Sequence, residues 1–260
     1  MRIKKVCVGG LLFSLMLVPV FANRASAQAG LVPRASMALA PGVNHLTMVD
    51  LSPRNVVHVA RIANGARLTI KAVPAATVKG TALARPAAIC TAVKAIVCIN
   101  GDMFGRGGVP VGGVLADGRW ARQPTNVQTQ LWVDQSNHFS FGAQPAGAVQ
   151  SLGATKYALV RNGKSLPIPE RSAFANGRYA RTLVGWNGAG DSFFVTVDKG
   201  PNSRGMSLAE AARLMLKLGA TNAVNEDGGS STQFIVGPTL SNAPTSGQRS
   251  VANVWAVVPK

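Results

Sequence analysis

Ser207-Leu208-Ala209-Glu210-Ala211-Ala212-Arg213-Leu214-Met215-Leu216-Lys217-Leu218-Gly219-Ala220-Thr221-Asn222-Ala223-Val224-Asn225-Glu226-Asp227-Gly228-Gly229 is the stretch on which the fold turns. Ser207, with Glu210 three residues on, is a capping box that opens a helix. Leu208, Ala211, Ala212, Met215 and Leu218 recur at the helical period and predict its buried stripe. Gly219 is the stop. Thr221 to Asn225 then reads as a strand, and Asp227-Gly228-Gly229 turns the chain away from it.

An earlier segment echoes this order. Pro86 to Lys94 reads as a short helix with proline in its first turn. Ala95 to Ile99 reads as a buried strand. Asn100-Gly101-Asp102 follows, then a glycine-rich loop from Gly105 to Gly113. Residues i and i+2 of a strand share a face, so Asn100 with Asp102, and Asn225 with Asp227, each present an amide and a carboxylate together. Glu226 is expected to point the other way. Strand ends followed by glycine loops are favoured ligand sites. Asp-Gly also suits simple turn capping, and the pattern alone leaves both readings open.

Working outward, His45 to Leu51 and Asn55 to Ile62 read as strands. Asn64-Gly65 before Ala66 to Ile70 is a hairpin signal. Residues 125–200 read as short strands with turns at Asn162-Gly163, Asn187-Gly188 and Lys199-Gly200. Phe234 to Val236 and Ser250 to Val258 are further strands. The expected fold is α+β: a mixed twisted β-sheet core with a few helices, in a single domain over 41–260. Residues 28–40 read as a loose leader.

The chain has 27 Lys and Arg against 10 Asp and Glu, so carboxylates are scarce and the net charge is +17. Residues 1–27 carry a basic start, an apolar run and Ala25-Ser26-Ala27, which predict a cleaved signal peptide. Without the four cations of that segment the charge is +13. The expectation is an exported protein, periplasmic or secreted, with no transmembrane anchor after cleavage. Its basic surface then faces an anion other than nucleic acid, such as a phosphorylated glycan or another anionic envelope polymer. Cys90 and Cys98 form either a disulfide or two buried thiols.

Several chemistries lack their residues. No P-loop or dinucleotide fingerprint occurs, and no G-x-S-x-G. His45, His58 and His138 are dispersed, so neither a metal nor another cofactor is expected. Arg181 and Arg249 each open a strand, and an arginine fork suits phosphate. Asp198 ends the apolar run Phe193 to Val197 and is either a turn residue or a third carboxylate.

Taken in order, Ile99 to Phe104, Pro110 to Val114 with Asp117-Gly118-Arg119, Arg181 to Gly185, Val197-Asp198 leading to Gly205 through Ala211, Leu218 to Gly229, and Arg249 to Asn253 resemble the phosphodiester glycosidase family. The resemblance covers roughly residues 41–260. It implies an enzyme that cleaves the glycosidic bond of a sugar-1-phosphate diester and frees the sugar. It assigns Asp102 and Asp227 to catalysis. It assigns Asn100, Arg181, Asp198, Asn225, Gly228, Gly229, Ser231 and Arg249 to binding of substrate and phosphate. Two rivals remain at this point: a non-catalytic binder of anionic envelope polymers, and a hydrolase of another envelope glycan or teichoic-acid linkage. The sequence departs from the family pattern at Met103, Ser230 and Gln233, and at Glu226, where an apolar residue is usual.

Overall fold

The computed structural model describes residues 30–260 apart from 79, 126–128, 170–171 and 245–246. The predicted signal peptide over 1–27 lies outside the described residues. Strands dominate, in three main sheets. The largest runs β1 (Leu31–Ala40), β2 (Val43–Leu51), β3 (Arg54–Ile62), β14 (Ser192–Val197), β13 (Arg181–Trp186), β17 (Asn222–Asn225), β11 (Ala158–Arg161) and β12 (Lys164–Ser165). The second runs β19 (Thr239–Leu240), β18 (Phe234–Val236), β5 (Val97–Asn100), β20 (Asn253–Pro259) and β4 (Leu68–Pro74). The third runs β7 (Arg119–Arg122), β6 (Val114–Ala116), β10 (Ala148–Gly153), β8 (Gln130–Asp134) and β9 (Phe139–Phe141). A short hairpin, β15 (Lys199–Gly200) with β16 (Ser203–Arg204), stands apart.

The α+β expectation holds in a strand-rich form, with α1 (Pro86–Ala92), α2 (Ala173–Asn176) and α3 (Leu208–Lys217) as the α-helices among the described residues. One part of it is corrected. Every pairing between named strands is antiparallel, so the sheets are not mixed. Hairpins and sheet-to-sheet crossings carry the chain, and these connections do not produce the parallel neighbours that a βαβ unit makes.

Two further expectations are corrected. The leader over 28–40 is not loose from Leu31 onward: Leu31–Ala40 forms β1 on β2. Most of its side chains are exposed, as befits a sheet edge, so it carries no apolar alternation for a sequence reading to detect. Asn64-Gly65 is a turn but not a hairpin. β3 lies in the first sheet and β4 in the second, so the chain changes sheets there. The Asn64 N–H donates to Asp191 Oδ1 at 3.1 Å and its amide to the Ala189 carbonyl at 2.9 Å, which pins the turn to the β13–β14 connection.

Burial follows the layers. One core cluster, with Ile70, Ile99, Leu131, Phe194 and Trp255, joins strands of all three sheets. A second packs α3 onto the outer face of the first sheet through Leu208, Ala211, Ala212, Leu214 and Met215. A third packs α1 onto the second sheet through Ile89 and Cys90. The α3 cap forms as expected: Ser207 Oγ accepts from the Glu210 N–H at 3.3 Å, and Glu210 Oε2 from the Ser207 N–H at 2.9 Å. Leu218 is the C-cap and only half-buried, while Leu214 takes a place in the stripe. Cys90 and Cys98 are joined as a disulfide with Cα atoms 6.2 Å apart, which staples α1 to β5.

Candidate active site

The site forms where the three sheets meet. β5 of the second sheet delivers Asn100 and Asp102, and β17 of the first delivers Asn225 and Asp227. The two ends are stitched together directly. Asn100 Nδ2 donates to the Asp227 carbonyl at 2.8 Å, and the Asp227 N–H donates to the Gly101 carbonyl at 3.0 Å. Asn100 Oδ1 accepts from Thr182 Oγ1 at 2.7 Å and from the Gln233 N–H at 3.1 Å. The Asn100 amide therefore organises three segments and is itself buried.

Asp102 is buried under the third sheet. Its Oδ2 accepts from the Gly112 N–H at 2.7 Å, and its Oδ1 is buried without a hydrogen-bond partner among the described residues. The close approach is made by a glycine pair. A Cβ on Gly112 would stand 2.5 Å from the Gly153 Cα and 3.1 Å from Asp102 Oδ2. Burial pushes the Asp102 carboxyl up to about 8, opposed by the Gly112 N–H and reinforced by the charge of Asp227. Asp102 is thus held in its acid form at neutral pH.

Asp227 is less enclosed. Burial raises its pKa as well, while the Ser231 hydroxyl, the Gly228 N–H and the charge of Arg249 oppose the rise. The Gly228 N–H reaches its Oδ1 at 3.0 Å. The Ser231 hydroxyl stands near enough to ease the charge but not in full hydrogen-bond geometry, and it is otherwise buried and unpartnered. Gly228 and Gly229 lie against β13: the Gly229 N–H donates to the Ala180 carbonyl at 2.8 Å, and a Cβ on Gly228 would stand 2.8 Å from that same oxygen.

Asn225 is buried, and its carbonyl accepts from the Thr155 N–H at 2.7 Å. Its amide donates to the Glu226 carbonyl, and its Oδ1 has no partner among the described residues. Arg249 is exposed at the rim. It sits with its guanidinium 5.0 Å from the Phe104 ring centroid and its Nη1 donating to Ser230 Oγ at 3.0 Å.

Two expected binding residues are used otherwise. The Arg181 side chain is wholly buried. Its Nε donates to the Met206 carbonyl at 2.7 Å, and its Nη2 to the carbonyls of Phe174 and Gly177 at 2.7 and 3.0 Å. Burial lowers its pKa to about 10. A two-pronged grip on phosphate is therefore not left to it, and the expected phosphate role is corrected to a structural one. Only Nη1 remains without a partner. The Asp198 carboxyl is likewise taken up. It accepts from Asn242 Nδ2 at 3.1 Å and the Ala243 N–H at 3.3 Å, and it lies 3.6 Å from His58 Nε2. Asn242 in turn holds the Thr232 carbonyl and the Phe234 N–H, so Asp198 braces the strand that follows the Gly228-Gly229 loop rather than joining the pair.

Two further charged side chains act on the aspartates: Arg122, which sequence reasoning missed, and Glu226, which it noted without a role at the site. Arg122, at the end of β7, acts electrostatically on Asp102, and its Nε is buried without a partner among the described residues. Its only sequence signal was membership of a basic strand. Glu226 points away from the Asn-x-Asp face, as strand alternation predicts, but its carboxyl is fully buried and coupled to the site. Trp255 Nε1 donates to its Oε1 at 2.8 Å, and its Oε2 has no partner among the described residues. Burial raises its pKa well above the usual range, reinforced by Asp102 and Asp227. Among the described residues no three His, Cys, Asp or Glu side chains converge as a metal-ligand set.

Several known proteins are similar to this chain. A bovine protein named N-acetylglucosamine-1-phosphodiester alpha-N-acetylglucosaminidase is 37% identical over 111 residues, which is 37% of this chain and 20% of the relative. The mouse protein of that name is 27% identical over 224 residues, 76% of this chain and 43% of the relative. The chain thus spans less than half the length of these curated relatives. The solved catalytic domain of the zebrafish protein of that name, auto-inhibited by its pro-peptide, superposes with a TM-score of 0.72 at 19% identity, over 91% of this chain and 90% of that one. A Synechocystis protein described as hypothetical superposes at 0.76 and 17% identity, covering 86% of this chain and 63% of that one. At these identities the two structures speak for the fold. The family described as phosphodiester glycosidase matches residues 93–258, from the segment before β5 to the end of β20, and the chain belongs to that family.

Proposed function

We propose that the protein hydrolyses the glycosidic bond of a sugar-1-phosphate diester, of the kind that N-acetylglucosamine-1-phosphate forms, releasing the free sugar and a phosphomonoester. The observation that carries this reading is the asymmetry of the two aspartates on stitched strand ends. Asp102 is buried and held as an acid, while Asp227 is more open and eased by three donors or charges. Paired carboxyls with separated environments are how glycoside hydrolysis divides acid from base or nucleophile. Asp102 donates a proton to the oxygen bridging sugar and phosphorus. Asp227 attacks the anomeric carbon or activates the water that does. Arg249 at the rim and Arg122 beside Asp102 balance the charge that grows on the departing phosphate.

The family of the chain and the names of its relatives support the substrate class. The export reading, with a periplasmic or secreted destination and an anionic envelope glycan as natural substrate, is part of this proposal. The Cys90–Cys98 disulfide suits an oxidising compartment, and the net charge of +13 left without residues 1–27 suits a phosphorylated glycan. Among the described residues no helix is long and apolar enough to cross a membrane.

The experiment is chromatographic detection of free sugar from a synthetic GlcNAc-1-phosphomethyl diester, with the parent protein and with Asp102→Asn and Asp227→Asn. Release by the parent and its collapse in both variants is expected. Unchanged rates in both variants would sink the assignment, and binding of wall polymers without release would return the protein to the class of binders.

A further inference from the structure

Beside the paired aspartates lies a cleft of about 640 Å³ whose residues take no part in the chemistry above. Trp132, Phe141, Tyr157, Gln130, Lys156 and Arg161 line it, and among the described residues no carboxylate does. Two of its walls continue the active site. The Thr155 N–H is bonded to the Asn225 carbonyl at 2.7 Å, and Lys156 and Tyr157 follow directly in the chain. On the other side Gln130 brackets Gly113, accepting its N–H at 3.1 Å and donating to its carbonyl at 2.9 Å, and the neighbouring Gly112 holds Asp102.

The cations of the cleft are set on rings rather than on acids. The Arg161 guanidinium lies 4.6 Å from the Phe141 ring centroid, and the Lys156 ammonium 5.3 Å from that of Tyr157. Neither enters an ion pair among the described residues, and both side chains are exposed. A cation resting on an aromatic face keeps its charge and its outward N–H donors. The half-buried rings of Phe141 and Tyr157 offer a sugar ring an apolar surface to lie on, and exposed cations select an anion.

We propose that this cleft is a second subsite, which binds a phosphate-bearing sugar unit on the leaving-group side of the scissile phosphodiester. The sugar ring lies against the aromatic lining, and its phosphate is held by Lys156 and Arg161. The proposal rests on the reading of the site as a sugar-1-phosphodiester hydrolase. It explains how a chain poor in acids and rich in cations engages a repeating phosphorylated glycan one unit beyond the bond it cuts.

The test uses two substrates and one ligand. The short substrate is the GlcNAc-1-phosphomethyl diester. The long one joins GlcNAc-1-phosphate to a disaccharide carrying a second phosphomonoester. The ligand is that phosphodisaccharide alone, titrated calorimetrically beside its neutral counterpart. The parent is expected to bind the phosphorylated ligand and not the neutral one. Lys156→Ala/Arg161→Ala is expected to weaken that binding by about tenfold or more and to raise KM for the long substrate equally. The short substrate turns over as in the parent. Equal binding by parent and double variant, or equal binding of the neutral disaccharide, overturns the subsite. Turnover of the short substrate without binding of the phosphodisaccharide removes the subsite alone. Binding lost in the double variant, with neither substrate cut, keeps the subsite and removes the hydrolase reading.

Discussion

The Asn100 side-chain amide donates to the backbone carbonyl of Asp227 at 2.8 Å, so a residue of one sheet holds the carboxylate-bearing turn of another. Its oxygen meanwhile satisfies Thr182 and Gln233. Asn100→Ala leaves those buried groups unpaired, and a stability loss of about 2–3 kcal/mol is expected. Activity falls further than stability accounts for. A displaced Asp227 costs about 100-fold in kcat even where the variant is fully folded. Denaturant titration alongside kcat at a temperature where the variant is native checks both.

Asp102 gives the protein a pH signature. Its carboxyl is raised from 3.8 to about 8 in the folded state. Between those values the folded chain holds a proton that the unfolded chain has lost, so stability falls as pH rises from about 4 to about 8. Asp102→Asn removes this group's contribution and flattens that part of the curve. Catalysis shares the limit, because an acid with a pKa near 8 stops donating above it. The alkaline limb of kcat/KM against pH is expected near 8. Urea unfolding from pH 4 to 9, with and without the substitution, and a pH–rate profile test the two statements separately.

Burial holds the Glu226 carboxyl well above the usual carboxylate range, with one oxygen on the Trp255 indole and the other without a partner among the described residues. Glu226→Gln keeps an acceptor for Trp255 and cannot ionise. It is expected to unfold at a higher denaturant concentration than the parent at pH 9 and at a similar one at pH 5. Glu226→Leu strands the indole N–H and costs about 1–3 kcal/mol at both values. A Gln variant that is weaker at pH 9 contradicts the neutral-acid picture.

Arg181 separates scaffold from substrate binding. Its guanidinium serves the carbonyls of Met206, Phe174 and Gly177, and a lysine cannot span all three. Arg181→Lys is expected to lose about 2–4 kcal/mol of stability, in the range for a broken buried network. KM for the GlcNAc-1-phosphomethyl diester stays unchanged in the folded fraction. A raised KM with unaltered thermal unfolding returns Arg181 to the phosphate.

Gly112 tests the packing beneath Asp102. Gly112→Ala drives a methyl to 2.5 Å from the Gly153 Cα and 3.1 Å from Asp102 Oδ2. Overpacking of this kind costs about 1–3 kcal/mol. The alkaline limb of the rate profile is also expected to move, because the Gly112 N–H is the bond that steadies Asp102. Differential scanning calorimetry and the pH–rate profile read the two effects.

Local signals carried far in this chain where periodicity and capping spoke together. α3 begins at its capping box and ends at Lys217 with Leu218 as its C-cap, and Asn100, Asp102, Asn225 and Asp227 stand at strand ends that the structure brings into one place. What escaped the sequence was what depends on neighbours distant in the chain. β1 is mostly exposed and held by its backbone ladder to β2, so composition gave no hint of it. Asn64-Gly65 has hairpin chemistry, yet the next strand pairs with β20, and only the alternative partner decides that. The burial of Arg181 and the coupling of Arg122 and Glu226 to the aspartates arise from sheets meeting, which no spacing encodes.

The two aspartates belong to different sheets, and this makes the active site a sensor of the seam between them. β5 is held by β18 and β20, and β17 by β13 and β11; only a few bonds, those of Asn100 and of the Asp227 N–H among them, cross from one to the other at the site. Mild denaturant or heat that parts the sheets locally is therefore expected to abolish the proposed activity while both sheets are still intact. Exchange of the Asp227 amide with solvent deuterium tracks the lost activity rather than the later collapse of the cores.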